Sequence, residues 1–372
     1  MNKQVVFRVD ASVEMGLGHL TRCLTLADAL AADGARSCFL MRSHAAGLAH
    51  LVESHGHAVR LLSDPLVRPA GADNGGGPYA HWLPTNWLED ADQTRSALDE
   101  IGAAEWLIVD HYALDARWEQ VCRRDGMRIL AIDDLADRAH DCEILLDQNL
   151  VSQMETRYRD RVSVACVQLL GPGYALLRPE FAAQRRLLAQ RDGSIDRILI
   201  CFGGSDPTNE TAKALEAIAR LAHPSLAVDA VIGLSNPHAD SVARLCDGLS
   251  GTELHRGADN IAELMRRADL SIGAGGVMSW ERCCLGLPTV AIGIAENQAD
   301  VLTALAAAGA IVHVGAAASV TEAAIAQVLH SLSRNPGQVR SMGETALALV
   351  DGDGAQRVRR AIFSRLFNGK RA

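Results

Sequence analysis

Short apolar runs alternate with longer segments of helical periodicity along almost the whole chain, and no other feature constrains the fold as much. Apolar runs with little polar interruption belong to strands buried on both faces, as happens when helices cover both sides of a parallel sheet. In the first half the expected strands are Val5–Val9, Ser37–Met41, Ala58–Leu62, Trp106–Val109, Arg128–Ile132 and Glu143–Leu146. Between the first two, Leu20, Cys23, Leu24, Ala27 and Leu30 recur at helical spacing on one face. The pattern restarts at Arg197–Phe202 and runs on through Val228–Ile232, Leu270–Ile272, Thr289–Ile292 and Ile311–Val314. Helices are expected from about Thr208 to Leu221, over Ile261–Arg267, through Trp280, from about Gln298 to Ala308, and along the C-terminal stretch.

At 372 residues the chain exceeds one ordinary core. The reading is therefore α/β, with two Rossmann-like domains whose parallel sheets face a cleft. The expected limits are 1–183 for the N-terminal domain and 195–350 for the C-terminal domain, with 351–372 as a helical segment packing back on the first. The Arg- and Gln-rich stretch from Gln184 to Ser194 is the expected linker.

The net charge is -9 and the basic residues are scattered, which argues against a nucleic-acid partner because phosphate-backbone affinity needs a basic surface. Nine cysteines without a C-x-x-C pair read as reduced, buried thiols, and no metal site is expected. A strand beginning at Val5 leaves no room for a signal peptide, and no apolar run is long enough to span a bilayer. A cytoplasmic protein without a membrane partner is expected; the oligomeric state is open, a monomer being admissible. One segment breaks the alternation. Asp64–Pro84 carries Pro65, Pro69, Pro78 and Gly75-Gly76-Gly77, and reads as an inserted loop or as a lid with His81 and Trp82 as its contacts.

In open parallel sheets ligands bind outside the carboxyl ends of the strands, so the residues after each strand carry the functional signal. After the first strand come Asp10 and then Gly16-Leu17-Gly18-His19 at the start of a helix. Thr21 stands three positions after Gly18, so the dinucleotide fingerprint fails and no cofactor is expected. A histidine in a helix's first turn is held toward the neutral form that a general base needs. The alternative is that His19 merely packs at the turn. Other strand ends run into Asp110-His111-Tyr112, Asp133-Asp134 and Asp147-Gln148-Asn149. These acids either line a site or only hold N–H groups of the following turns. In the second half, Gly203-Gly204-Ser205-Asp206 and Gly273-Ala274-Gly275-Gly276 each join a strand to a helix, a pair of turns suited to a diphosphate. Glu281, farther into the second of these helices, is placed to accept both hydroxyls of a ribose, unless it is an ordinary surface glutamate. Glu296-Asn297-Gln298 follows another strand.

These motifs resemble a known family. Phe7-Arg8-Val9-Asp10, Gly16-x-Gly18-His19-x-x-Arg22, Asp110-His111-Tyr112, the run from Gly171 to Phe181, Gly203-Gly204-Ser205-Asp206 and Glu296-Asn297-Gln298 are similar to the UDP-sugar hydrolases of pseudaminic acid biosynthesis. The resemblance runs in order from the first strand to Gln298. It implies the GT-B fold and hydrolysis of UDP-2,4-diacetamido-2,4,6-trideoxy-β-L-altropyranose to the free sugar and UDP without a metal. It maps the catalytic histidine onto His19 and the nucleotide-binding Glu and Asn onto Glu281 and Asn297. The segment Asp64–Pro84 is longer than such a chain needs, which leaves local substrate contacts open.

On this reading water displaces UDP at the anomeric carbon with His19 as base, while Asp10, Gly16, Gly18, Arg22, Asp110 and Tyr112 hold sugar or water. Gly203, Gly204, Ser205, Gly275, Gly276, Glu281, Asn297 and Gln298 hold UDP. The rivals are a GT-B glycosyltransferase using a UDP-sugar donor and a non-catalytic nucleotide-sugar sensor.

Overall fold

The computed structural model describes residues 3–12, 15–64, 78–221, 223 and 225–364. Its first sheet comprises β1 (Gln4–Val9), β2 (Arg36–Arg42), β3 (Ala58–Leu62), β4 (Trp106–Asp110), β5 (Arg128–Ile132), β6 (Ile144–Asp147) and β7 (Val167–Leu170). All are parallel, in the order β3-β2-β1-β4-β5-β6-β7. Winding therefore reverses between β1 and β4, where Val9 pairs with Asp110, and such a reversal opens a crevice at the carboxyl ends of the strands. The second sheet comprises β8 (Arg197–Cys201), β9 (Ala227–Ile232), β10 (Thr252–Arg256), β11 (Leu270–Ala274), β12 (Thr289–Gly293) and β13 (Ile311–Ala316). Its order, β10-β9-β8-β11-β12-β13, repeats the reversal between β8 and β11.

Two strands, β7 and β10, are absent from the sequence reading. Both lie at a sheet edge, where Val167–Leu170 is mostly half-buried and Thr252–Arg256 is polar, so neither forms an apolar run. The expected helical face of Gly18–Ala31 is buried throughout, from Leu20 to Leu30.

The chain forms two compact units. The described residues up to Asn149, with Gln153–Leu176 and those from Gly354 onward, make the first; Leu150–Ser152 and Leu177–Asp353 make the second. Ala355, Val358 and Ile362 of the helix Gly354–Ile362 join the core built on β1 and the helix Gly18–Ala31. Gly354 permits this approach, since a Cβ there would lie 2.2 Å from the Ala175 carbonyl oxygen. The stretch from Gln184 to Ser194 is fastened to the second unit: Arg191 donates to the carbonyls of Met265, Arg266, Ala268 and Leu285. No described helix is long and apolar enough to cross a membrane. Of the segment Asp64–Pro84, residues 65–77, including Pro65, Pro69 and the three glycines, lie outside the described residues.

Candidate active site

In the first unit, Gly16 takes a φ of +73° and donates its N–H to the Ser12 carbonyl at 2.8 Å, turning the chain into a helix that begins at Gly18. His19 lies in its first turn, only 6% exposed. Its Nδ1 is 2.7 Å from Asp110 Oδ1 at the end of β4. Arg22, one turn later on the same face, donates to both oxygens of Asp110 from Nε and Nη2, each at 2.6 Å. Arg22 Nη2 also lies 3.2 Å from His19 Nδ1. A guanidinium only donates and a carboxylate only accepts, so the short contact to Asp110 places a proton on Nδ1 and leaves Nε2 as the acceptor. Burial alone would raise the Asp110 carboxyl, but the charge of Arg22 and the hydrogen bonds from Arg22 and His19 hold it well below the usual carboxylate range.

Asp134 ties these groups together. It accepts from Arg22 Nη1 at 3.0 Å, Asn149 Nδ2 at 2.7 Å and the Tyr112 hydroxyl at 2.6 Å. Burial and Asp134 push the Tyr112 phenol well above its ordinary range, so it stays a donor. Its ring meets the imidazole edge-on at 4.7 Å, and Trp82 stacks on Tyr112 at 5.2 Å and stands 5.9 Å from His19. Tyr79 packs on both. Aromatics are 4% of the chain, so two of them on one histidine, with Tyr79 packed against both, is a strong local concentration. Tyr112 therefore positions the imidazole with its ring, its hydroxyl being taken.

The strand-end acids divide by role. Asp10 is fully buried: Oδ1 accepts the Arg42 N–H at 2.7 Å, and Oδ2 pairs with Arg8 at 2.8 Å and faces His111 at 3.4 Å. Arg8 and Arg42 also share Asp90, so Asp10 supports the strand ends from inside. Asp133 accepts the N–H groups of Leu135 and Ala136, as a turn-forming acid does. Asp147 accepts from the Asn149 N–H at 2.9 Å and the Tyr158 hydroxyl at 3.0 Å. Burial, with Asp134 nearby, pushes the Asp147 carboxyl up to about 7. An unfolded aspartate titrates near ~3.9, so the folded state binds the extra proton between those values and this group's contribution to stability is lost as pH rises. Asp147→Asn should therefore gain melting temperature relative to wild type at pH 8 and much less at pH 4, measured by thermal denaturation at both.

In the second unit the two glycine-rich turns are not equivalent. After β8, Gly203 takes a φ of +91° and Asp206 one of +39°. Asp206 then accepts the N–H groups of Glu210 and Thr211, each at 2.9 Å, so the helix Glu210–Ala219 starts later than expected and is already capped. Gly204 is exposed and Ser205 half-buried beside it. After β11, the helix Val277–Cys284 follows Gly276, whose φ is +81°, and has no side-chain cap. Its first N–H groups therefore suit an anion better. Gly275 leaves little room for a side chain: a Cβ would fall 3.0 Å from Gln298 Cβ, so that side chain would have to shift. Gln298 accepts the Ile294 N–H at 3.1 Å, and Asn297 beside it is exposed. Glu281 is 8% exposed and 3.6 Å from Arg178, so it is not an ordinary surface glutamate. Burial raises its carboxyl, with Arg178 opposing.

Among the described residues, Asp229, Glu253 and His255 could together hold a metal ion. They were not legible as a group because β9 and β10 bring them together in space. Asp229 is already engaged by Arg197 at 2.7 Å and His255 at 2.9 Å, and a cation would have to compete with that guanidinium.

Comparison with known proteins supports the resemblance read from the motifs. The chain is 25% identical over 307 residues to the UDP-2,4-diacetamido-2,4,6-trideoxy-beta-L-altropyranose hydrolase of Campylobacter jejuni, covering 82% of this chain and 97% of that one. It is 30% identical over 192 residues to the spore coat polysaccharide biosynthesis protein SpsG of Bacillus subtilis, 50% of this chain and 56% of that one. An uncharacterised protein of Methanocaldococcus jannaschii is 23% identical over 303 residues, 80% of this chain. The chain spans little more than half the length of these last two, 56% and 57%. No protein-family model matches. Among solved structures, MurG of Acinetobacter baumannii superposes with a TM-score of 0.67 at 16% identity, covering 97% of this chain and 99% of that one. The UDP-GlcNAc 2-epimerase of Neisseria meningitidis gives 0.59 at 13% identity, with 97% and 99% covered. These likenesses establish the GT-B fold, and at such identities the fold alone.

Proposed function

We propose that the chain acts on a UDP-sugar in sugar biosynthesis and that the reaction is hydrolysis to the free sugar and UDP. The observation that carries this reading is the 2.7 Å contact from His19 Nδ1 to Asp110, which leaves Nε2 of a buried, oriented imidazole to accept a proton. Water attacks the anomeric carbon as Nε2 takes its proton; the bond from that carbon to the diphosphate oxygen breaks, and UDP leaves with the electron pair. One displacement inverts the anomeric centre. The second unit holds the nucleotide, the ribose on Glu281 and the diphosphate on the Gly275–Gly276 turn, and the charge is met without a cofactor. The substrate favoured is the diacetamido-trideoxy-altropyranose donor that names the Campylobacter relative, and on that substrate the reaction is a step of pseudaminic acid biosynthesis as the motif resemblance implies.

The test is proton NMR of that donor and other UDP-sugars incubated with the protein in water. UDP and free sugar should appear together, the first sugar anomer having the inverted configuration. UDP released only when an acceptor sugar or lipid is added would replace hydrolysis by glycosyl transfer, and binding without release would leave a sensor.

A further inference from the structure

The uncapped turn after β11 has a buried cation beneath it. Arg282, in the helix Val277–Cys284, is 2% exposed. Its Nη2 donates to the Ala274 carbonyl and lies 3.4 Å from Ser279 Oγ. Nε and Nη1 are buried without a protein hydrogen-bond partner. Its side chain lies against the end of β11, where Gly273 leaves space: a Cβ there would lie 2.9 Å from Arg282 Nη1 and 2.4 Å from the Cys201 carbonyl oxygen. Burial draws Arg282 below the usual arginine range, with Cys201, Cys283 and Glu281 only partly opposing. A buried guanidinium with two unsatisfied donors and no carboxylate in ion-pair contact among the described residues costs stability, so a merely structural position would favour an apolar side chain.

The geometry of the turn gives that charge a use. In a trans peptide the carbonyl and the next N–H point in opposite directions. Holding the Ala274 carbonyl toward Arg282 therefore aims the Gly275 N–H to the far side of the turn, beside the uncapped helix start, and polarises it. We propose that Arg282 is an internal counter-charge for the diphosphate of a nucleoside-diphosphate-sugar held at Gly275–Gly276, acting through the turn and in place of an external cation. The inference rests on the nucleotide reading above, in which this turn carries the diphosphate, and adds what neutralises it. The turn after β8 is the lesser site, because Asp206 already occupies its helix start.

Calorimetric titration of UDP and of uridine into wild type, Arg282→Met, Arg282→Lys and Glu281→Ala tests it. Arg282→Met should weaken UDP at least about tenfold while uridine changes little, because only the diphosphate senses the charge. Its melting temperature without ligand should equal or exceed that of wild type, an outcome that a purely structural arginine would not give. Arg282→Lys, which keeps the charge, should bind UDP between the two, whereas Glu281→Ala should weaken UDP and uridine by similar factors. Equal UDP affinity in wild type and Arg282→Met overturns the inference, as does a parallel loss of uridine. If Arg282→Met does not fold, Arg282→Gln takes its place with the same expectations for both ligands. A wild type that binds uridine and UDP equally removes the diphosphate site from this turn; one that binds neither removes the nucleotide reading with it.

Discussion

His19→Asn should lower kcat by about 10²–10⁴, the usual worth of a positioned general base, while UDP binds as tightly as to wild type. The asparagine amide can still donate to Asp110, so the buried carboxylate keeps a partner and the fold should survive the change. What is lost is the acceptor nitrogen. The residues proposed to hold the nucleotide, the turn after β11 and Glu281, belong to the second unit, and His19 belongs to the first. Initial rates of UDP release, with calorimetric UDP affinity as the control, decide the matter. A rate within about threefold of wild type is far outside that range and would remove His19 from the chemistry.

Asp110→Asn should cost both rate and stability. An amide can present its NH₂ group to His19 Nδ1, in which case the proton moves to Nε2 and the base is blocked; the expected loss is again within about 10²–10⁴ in kcat. The substitution also removes the carboxylate that Arg22 grips with two 2.6 Å bonds. Breaking a buried pair costs about 3–5 kcal/mol, and here the lower end applies because Asp134 remains 2.8 Å from Arg22. The pH dependence has a definite sign. Asp110 is held below its ordinary range in the folded state, so its contribution is present above the unfolded value near ~3.9 and fades as pH falls through the lower folded one. Denaturant melts should show a constant penalty for the variant from neutral pH down to about 4, shrinking below it. A penalty that grew on acidification would contradict this account of Asp110.

The sequence by itself determined that the chain is two successive parallel α/β units, because strands buried on both faces must be nearly continuous apolar runs. It also determined where to look, since polar residues can follow such runs only at their ends. The Gly16-x-Gly18-His19 turn, the strand-end acids and both glycine-rich turns were legible for that reason, as was the resemblance the comparisons then supported. The edge strands β7 and β10 were not, because half-exposed strands carry no such run. Only the tertiary structure decided which strand-end acid does what. The strand-end aspartates look alike in sequence, yet the pairing of β1 with β4 and of β4 with β5 sets Asp110 on His19 and Asp134 on Arg22 and Tyr112. Asp10 and Asp133 are drawn into buried ion pairs and a turn. The same holds in the second unit. Asp206 and Arg282 are both charged residues near glycines in the sequence, but one caps its own helix and the other lies unpaired beneath a turn. A side chain's partner is fixed by which strands are neighbours and how far each helix is set back from its turn, and neither quantity is written in local spacing.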